Sequence, residues 1–198
     1  AANGLATRAG AYGTLAVTVA SGAYTFTPNT AAINALSAST SEIFTVSVTD
    51  GLSTTTTTLS VNLTAVNDAP VVTAPASFAL TEDVAANLTY TGTPFADVDS
   101  ATLTVTLSVS DGTITGNAGT GITVAGSATA RTFAGTIAAL NTYFTTVGSI
   151  TYQGASNATT SRTLTTAVSD GALSASTTST INFTAVNDAP TFGAVLLS

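Results

Sequence analysis

Thr64-Ala65-Val66-Asn67-Asp68-Ala69-Pro70 recurs as Thr184-Ala185-Val186-Asn187-Asp188-Ala189-Pro190, 120 residues further along the chain. The sequence before each copy repeats at the same offset. Val48-Thr49-Asp50-Gly51 faces Val168-Ser169-Asp170-Gly171, and Val61-Asn62-Leu63-Thr64 faces Ile181-Asn182-Phe183-Thr184. Self-similarity at a fixed period marks a tandem array of one structural plan. In 198 residues it leaves one whole unit and parts of its neighbours, and a unit of this length can bury its own core.

Between the repeated segments the sequence alternates, apolar then threonine or serine, as a strand with one buried face requires. The clearest runs are Leu103-Val105-Leu107-Val109, Phe44-Val46-Val48 and Leu59-Val61-Leu63. Weaker ones pass through Leu15-Val17-Val19, Tyr24-Phe26, Phe78-Leu80, Leu88-Tyr90, Ile122-Val124, Ile150-Tyr152 and Leu164-Val168. Only Ala31–Leu36 and Ile137–Phe144 suggest helix, each as a short crossover, and Gly116–Gly126 reads as loop and strand. Asp50-Gly51 and Asp170-Gly171 are hairpin dipeptides, since both residue types tolerate positive φ. Pro70 and Pro190 cannot donate to a ladder and so end a sheet. The pattern predicts an all-β chain of tandem Ig-like antiparallel β-sandwiches. The expected division is a partial unit over 1–66 that starts at the strand around Leu15, a linker at 67–70, a complete unit over 71–186, and a linker with the start of a next unit over 187–198.

The net charge is −7 with a pI near 4.1, and the basic residues are Arg8, Arg131 and Arg162. Nucleic acid, whose phosphates need a basic footprint, is excluded as a partner. No run approaches the roughly 20 apolar residues of a membrane span. No export signal stands at Ala1, so any such signal lies outside this stretch or has been removed. Histidine, cysteine and lysine are absent. Nucleophile–base catalysis therefore has little foothold, and the expectation is that the chain is not an enzyme.

The ten acids fall at strand ends rather than inside the alternating runs. Following the chain down the first strand of the second unit, at about 3.3 Å per residue, carries Glu82 and Asp83 to the end opposite the entry linker. The return strand delivers Asp97 and Asp99 to the linker end, and the strand before Asp170 rises there too. Asn67, Asp68, Asp97, Asp99 and Asp170 are thus expected to converge at a main junction, with Glu42 reaching it from the first unit. A second, weaker junction is expected from Glu82, Asp83, Asn187 and Asp188, because Arg162 stands where Glu42 stands in the first unit. Clustered carboxylates without a basic partner repel one another unless a cation is bound. Ca²⁺, which takes six to eight oxygens in irregular geometry, is the expected cofactor. Zinc and copper are disfavoured without histidine or cysteine.

The segments Val66-Asn67-Asp68-Ala69-Pro70, Thr81-Glu82-Asp83, Asp97-Val98-Asp99 and Asp170 together resemble the cadherin-like repeats of bacterial surface proteins. Tyr12-Gly13-Thr14-Leu15-Ala16-Val17 and Tyr24-Thr25-Phe26-Thr27-Pro28-Asn29 are similar to the VCBS repeat of giant bacterial adhesins. The resemblance implies an extracellular, cell-surface module of an adhesin stalk, surface layer or filament, rigidified by calcium at its junctions. Its partners would be neighbouring repeats or subunits of the same protein. Separately, the first unit lacks counterparts of the first two strands of the second, which reads as the visible portion of a longer polypeptide or, as the sharper alternative, as an incomplete sandwich that accepts a strand from a neighbouring subunit to build a homopolymer by strand addition.

Plainer readings stand beside these. Asp50 and Asp111 taken singly are explained by turn chemistry, and Asn67 and Asn187 by capping of the linker backbone. Thr54–Thr58 reads as an ordinary exposed strand, and the Asn-x-Thr sequons at Asn62, Asn87, Asn157 and Asn182 arise readily in threonine-rich sequence. The alternative function is a carbohydrate-binding surface module recognising a surface glycan, for which Tyr143 and Tyr152 are the stacking candidates.

Overall fold

The computed structural model describes residues 4–189. They divide into two compact units, one of residues up to Asp68 together with Val98–Ser100, the other of Ala69–Asp97 and the residues from Ala101 onward. With 51% of residues in strands and 8% in helices, the chain is all-β. The repeated linker motif is cut between Asp68 and Ala69, and the short Asp97-Val98-Asp99 segment is itself divided between the units.

In unit 1, β1 (Leu5–Ala9), β2 (Gly13–Thr18) and β3 (Tyr24–Pro28) form an antiparallel sheet in that order. The unit therefore has one strand before the run at Leu15, where none was expected. Helix α1 (Thr30–Asn34) is a single turn started by Asn29, whose side chain accepts from the Ala32 amide. Two ten-residue strands, β4 (Thr40–Thr49) and β5 (Thr54–Leu63), then pair from Thr40↔Leu63 to Thr49↔Thr54 across the Asp50-Gly51 turn. Leu15, Leu36, Phe44 and Leu63 are buried, and the Phe26 ring meets Phe44 edge-on with centroids 6.0 Å apart.

Unit 2 begins with the short β6 (Val71–Val72), β7 (Ser77–Thr81), β8 (Ala86–Asn87) and β9 (Phe95–Ala96). It continues through β10 (Thr102–Ser108), β11 (Thr113–Gly116), β12 (Ile122–Gly126) and β13 (Ala130–Thr136). Helix α2 (Ile137–Thr145), β14 (Ile150–Gln153), β15 (Arg162–Ser169) and β16 (Ser174–Thr184) complete it. The sheets are β12-β13-β10-β15-β16-β7, β11-β14-β8 and the pair β6-β9. Among the described residues of this unit all pairings are antiparallel except β7 with β16, which is parallel and runs from Ser77↔Thr180 to Thr81↔Thr184.

The alternation predicts the inward faces well. Leu103, Val105 and Leu107 of β10 and Leu164 and Val168 of β15 are all buried in one core with Phe78, Leu80, Phe133, Phe144 and Ile181. Helix α2, capped by Thr136 accepting from the Ala139 amide, contributes Leu140, Tyr143 and Phe144 to that core. Leu88 and Tyr90 are buried as expected, but only Ala86–Asn87 is strand there. The chain instead crosses the core with Leu88 donating to the Ile150 carbonyl and Tyr90 to the Phe144 carbonyl. Tyr90 and Thr166 satisfy each other's hydroxyls at 2.6 Å, and burial pushes the phenol up to about 12.

The two units share a local device. A Cβ on Gly13 would meet the Phe26 ring and the Thr27 carbonyl, while one on Gly112 would meet the Tyr152 ring and the Gln153 carbonyl. In each, a glycine at the start of one strand makes room for an aromatic ring on its partner, in registers Leu15↔Phe26 and Ile114↔Tyr152.

Candidate cation site

Parallel pairing of β7 with β16 brings the segment after each strand alongside the other. Glu82, the residue after β7, donates its amide to the Thr184 carbonyl at 3.1 Å. Its carboxylate Oε1 accepts from the Val186 amide at 2.6 Å. Asp83 follows in a left-handed conformation, φ +61°, which aspartate tolerates better than most residues. Its Oδ1 accepts from the Asn157 amide at 3.0 Å, and its carbonyl from the Gln153 side chain at 3.2 Å. Asp188 arrives from the segment beyond β16, so that one carboxylate oxygen from each of Glu82, Asp83 and Asp188 lies within 4.8 Å of the others.

This group can hold a metal ion. Glu82 is 3% exposed, and its second oxygen, Oε2, is buried with no hydrogen-bond partner. A bare carboxylate oxygen away from water costs several kcal/mol, on the order of an uncompensated buried charge. Two further carboxylates close by add repulsion. A hard divalent cation offsets both, and an all-oxygen donor set of acids and carbonyls suits it. Asn187 is placed beside this group but turns its side-chain amide to the Asp188 carbonyl, 3.4 Å away. Asn67 does the same to the Asp68 carbonyl at 3.1 Å. The asparagine of the repeated motif thus bonds its own linker backbone in both copies.

The residues expected at the main junction are distributed over both units. Unit 1 holds Glu42, Asn67, Asp68 and Asp99, with the Asp68 amide donating to Asp99 Oδ2 at 3.1 Å. Unit 2 holds Asp97 and Asp170. Asp170 Oδ1 accepts from the Ala172 and Leu173 amides, both at 2.7 Å, just as Asp50 Oδ1 accepts from Leu52 and Ser53 at 2.9 and 2.7 Å. The turn amides of Ser53 and Leu52 hold the Asp50 carboxyl below its ordinary value. The hairpin aspartates organise their own turns.

Glu42, expected to face a junction, spends both carboxylate oxygens inside unit 1. It accepts from the Ala11 amide and from the Tyr12 amide, the latter at 3.2 Å, and so ties the foot of β4 to the β1–β2 turn. Arg162 stands at the equivalent place in unit 2 and ties the foot of β15 to the turn before β11 by an ion pair, Nε to Asp111 Oδ1 at 2.9 Å. Arg162 is therefore not a lost ligand. It is the same latch with a guanidinium in place of a carboxylate, and Asp111, taken as a turn residue, is its partner. The Arg162 hydrogen bonds hold the Asp111 carboxyl below its usual range. A depressed folded-state pKa adds stability above the unfolded value of about 3.9 and loses it as pH falls through the folded value. Arg162→Gln is thus expected to move acid unfolding of unit 2 to higher pH while leaving the neutral-pH fold intact. An acid limb superimposable on that of the parent, followed by circular dichroism, would reject the latch.

Tyr143 and Tyr152, the sugar-stacking candidates, are core residues, 5% and 0% exposed. The Tyr143 hydroxyl donates to the Asn117 carbonyl at 2.6 Å and that of Tyr152 to the Asp111 carbonyl at 3.1 Å. Neither offers an open ring face. No described helix is long and apolar enough to cross a membrane.

No family model and no curated protein matches the chain. Among solved structures it is similar to endo-fucoidan hydrolases of glycoside hydrolase family 107. A variant of MfFcnA4 is 21% identical over 92% of this chain and 24% of that one, with a TM-score of 0.33. MfFcnA4 itself gives 19%, 93%, 24% and 0.31, and MfFcnA9 gives 18%, 90%, 27% and 0.30. The chain spans about a quarter of the length of these enzymes. TM-scores this low carry nothing about activity.

Proposed function

We propose that the chain is an extracellular structural and adhesive repeat module, built of cadherin-like and VCBS-like tandem sandwiches and stiffened by calcium, as part of a bacterial adhesin stalk, surface layer or filament. The observation that supports this most is the buried, unpartnered Glu82 Oε2 beside Asp83 and Asp188. A cation there joins three pieces of chain: the turn after β7, the loop at Asn157 through Asp83, and the linker that leaves β16. Its mechanical consequence is to hold the exit of unit 2 in one direction. The internal repetition and the absence of a nucleophile–base set accord with a structural rather than a catalytic role.

Calorimetry of the whole chain in calcium and in EDTA tests the reading. Calcium is expected to raise the melting temperature of unit 2, by linkage worth about 2.7 kcal/mol at a hundred times Kd. Glu82→Gln is expected to abolish the heat of calcium binding in titration. Identical melting curves in calcium and EDTA would refute it.

A further inference from the structure

We propose that the outer face of the six-stranded sheet of unit 2 is a self-association surface, on which a second copy of this chain docks face to face through the same residues. The inference is independent of the cation site.

The strand registers define the face. Leu103, Val105 and Leu107 of β10 point into the core, so Thr102, Thr104, Thr106 and Ser108 point outward. Ladder pairing carries the outward set across the sheet: Thr104 stands beside Ala134 of β13 and Ser169 of β15, with Thr123 of β12 and Ser174 of β16 beyond them. Over all six strands the outward positions hold threonine, serine, alanine and Asn182 alone, each exposed or half-buried. The two charged residues of these strands face the other way. Arg131 Nε donates to the Ile114 carbonyl of β11 at 3.2 Å, and Arg162 pairs with Asp111. The described acids of unit 2 lie in turns or beyond strand ends.

Charge and hydrogen bonding point to a second copy as the occupant. A chain of net charge −7 repels its own kind, and on this face two copies meet with no charge between them. A hydroxyl donates and accepts at once, so a face of hydroxyls is its own complement under two-fold symmetry. Short side chains also lose little rotamer freedom when they are covered. Twisted sheets of one hand stack face to face at about 10 Å.

Area decides between this face and that of the smaller sheet. At about 4.8 Å between strands and 3.3 Å per residue, the six strands present roughly 700 Å² on each copy. A pair then buries about 1,400 Å², within the roughly 1,200–2,000 Å² of a stable specific interface. The β11-β14-β8 sheet, by the same reckoning, offers only about 160 Å² per copy.

Sedimentation of the whole chain in EDTA, which removes any calcium bridge between acids, is expected to show a reversible dimer with Kd in the roughly micromolar range. Added salt should strengthen it, because the like charges on the rest of the two copies are screened. Thr106→Glu and, separately, Thr178→Glu each put a carboxylate on the face and are expected to weaken dimerisation at least about ten-fold. Thr115→Glu, on the exposed side of the smaller sheet, should leave it unchanged. Thr106 is half-buried and Thr178 exposed, so if the first variant melts early the second carries the test. Concentration-dependent amide shifts in NMR spectra are expected on β10, β15 and β16. Four results would each overturn the proposal: a chain that stays monomeric at millimolar concentration, a dimer that all three variants form equally, a dimer that weakens with salt, or shifts confined to unit 1.

Discussion

Replacing Phe144 with alanine is expected to destabilise unit 2 by about 3–5 kcal/mol, the range for deleting a fully buried aromatic side chain. Phe144 is 0% exposed and lies at the centre of an aromatic cluster, with ring centroids 5.1 Å from Tyr90, 4.8 Å from Phe95, 5.2 Å from Phe133 and 6.1 Å from Tyr143. Three of these are close edge-to-face contacts, a geometry worth about 0.5–1.5 kcal/mol per pair beyond area alone. The site is also poorly able to collapse. Its neighbours come from β13, the crossing segment at Tyr90, the β9 strand and α2 itself, and each is fixed by its own hydrogen bonds. Asn141 on α2, for instance, both accepts from the Phe95 amide and donates to the Phe95 carbonyl, at 2.9 Å each. Denaturant unfolding should show the midpoint falling with the slope unchanged. A loss below about 1 kcal/mol, the size of an average surface or partly buried change, would contradict the packing described.

Gly112→Ala is the second large effect, and its cause is backbone rather than core volume. Gly112 has φ +78°, a conformation that costs an alanine about 1–2 kcal/mol. In addition the new Cβ would sit 2.5 Å from the Gln153 carbonyl oxygen and 2.7 Å from the Tyr152 hydroxyl. Neither neighbour is free to retreat. Gln153 is held in the Thr113↔Gln153 pairing, and the Tyr152 hydroxyl is bonded to the Asp111 carbonyl. Relieving the overlap therefore costs a further amount on the order of 1–3 kcal/mol. Gly148 is the internal control, because it has φ +86° but open space where its Cβ would go. Gly148→Ala should show the conformational cost alone, so comparable losses for the two variants in thermal melts would show that the close approach at Gly112 does not matter.

Much of the fold is legible along the chain because half-buried strands advertise themselves. Leu103-Val105-Leu107, Phe44-Val46-Val48 and Leu164-Val168 alternate with threonine, and their strands appear where the alternation places them. β13 is the counter-example. Ala130–Thr136 includes Arg131, Ala134 and Gly135, shows no clear alternation, and yet is an interior strand between β12 and β10. It is held there by seven-residue pairing with β10, and Arg131 bonds the carbonyl of its cross-strand partner Gly126 on β12 and reaches to the Ile114 carbonyl of the other sheet. Tertiary pairing overrides propensity at such a strand. The opposite error occurs at Leu88 and Tyr90, whose apolar spacing reads as strand although the chain there only crosses the core.

The candidate site divides in the same way. Glu82, Asp83 and Asp188 could be named from their position at strand ends, since chain direction and rise per residue carry them to one end of the unit. Glu42 could not. Its contacts lie with Ala11 and Tyr12, some thirty residues away, and only the folded unit shows that Arg162 with Asp111 performs the same task.

By itself the sequence determined the period of 120, the all-β class, the hairpin turns and which acids stand at strand ends, because each of these follows from spacing and local backbone chemistry; the exception is Glu42, which lies within β4 opposite Val61. Only the tertiary structure decided which acids meet and which are already engaged. That depends on pairing between distant strands: the parallel β7–β16 ladder, which brings Glu82 beside the chain that leads to Asp188, has no signature in either strand alone. A period-2 pattern fixes the face a side chain takes, but partner and direction are settled by the whole core.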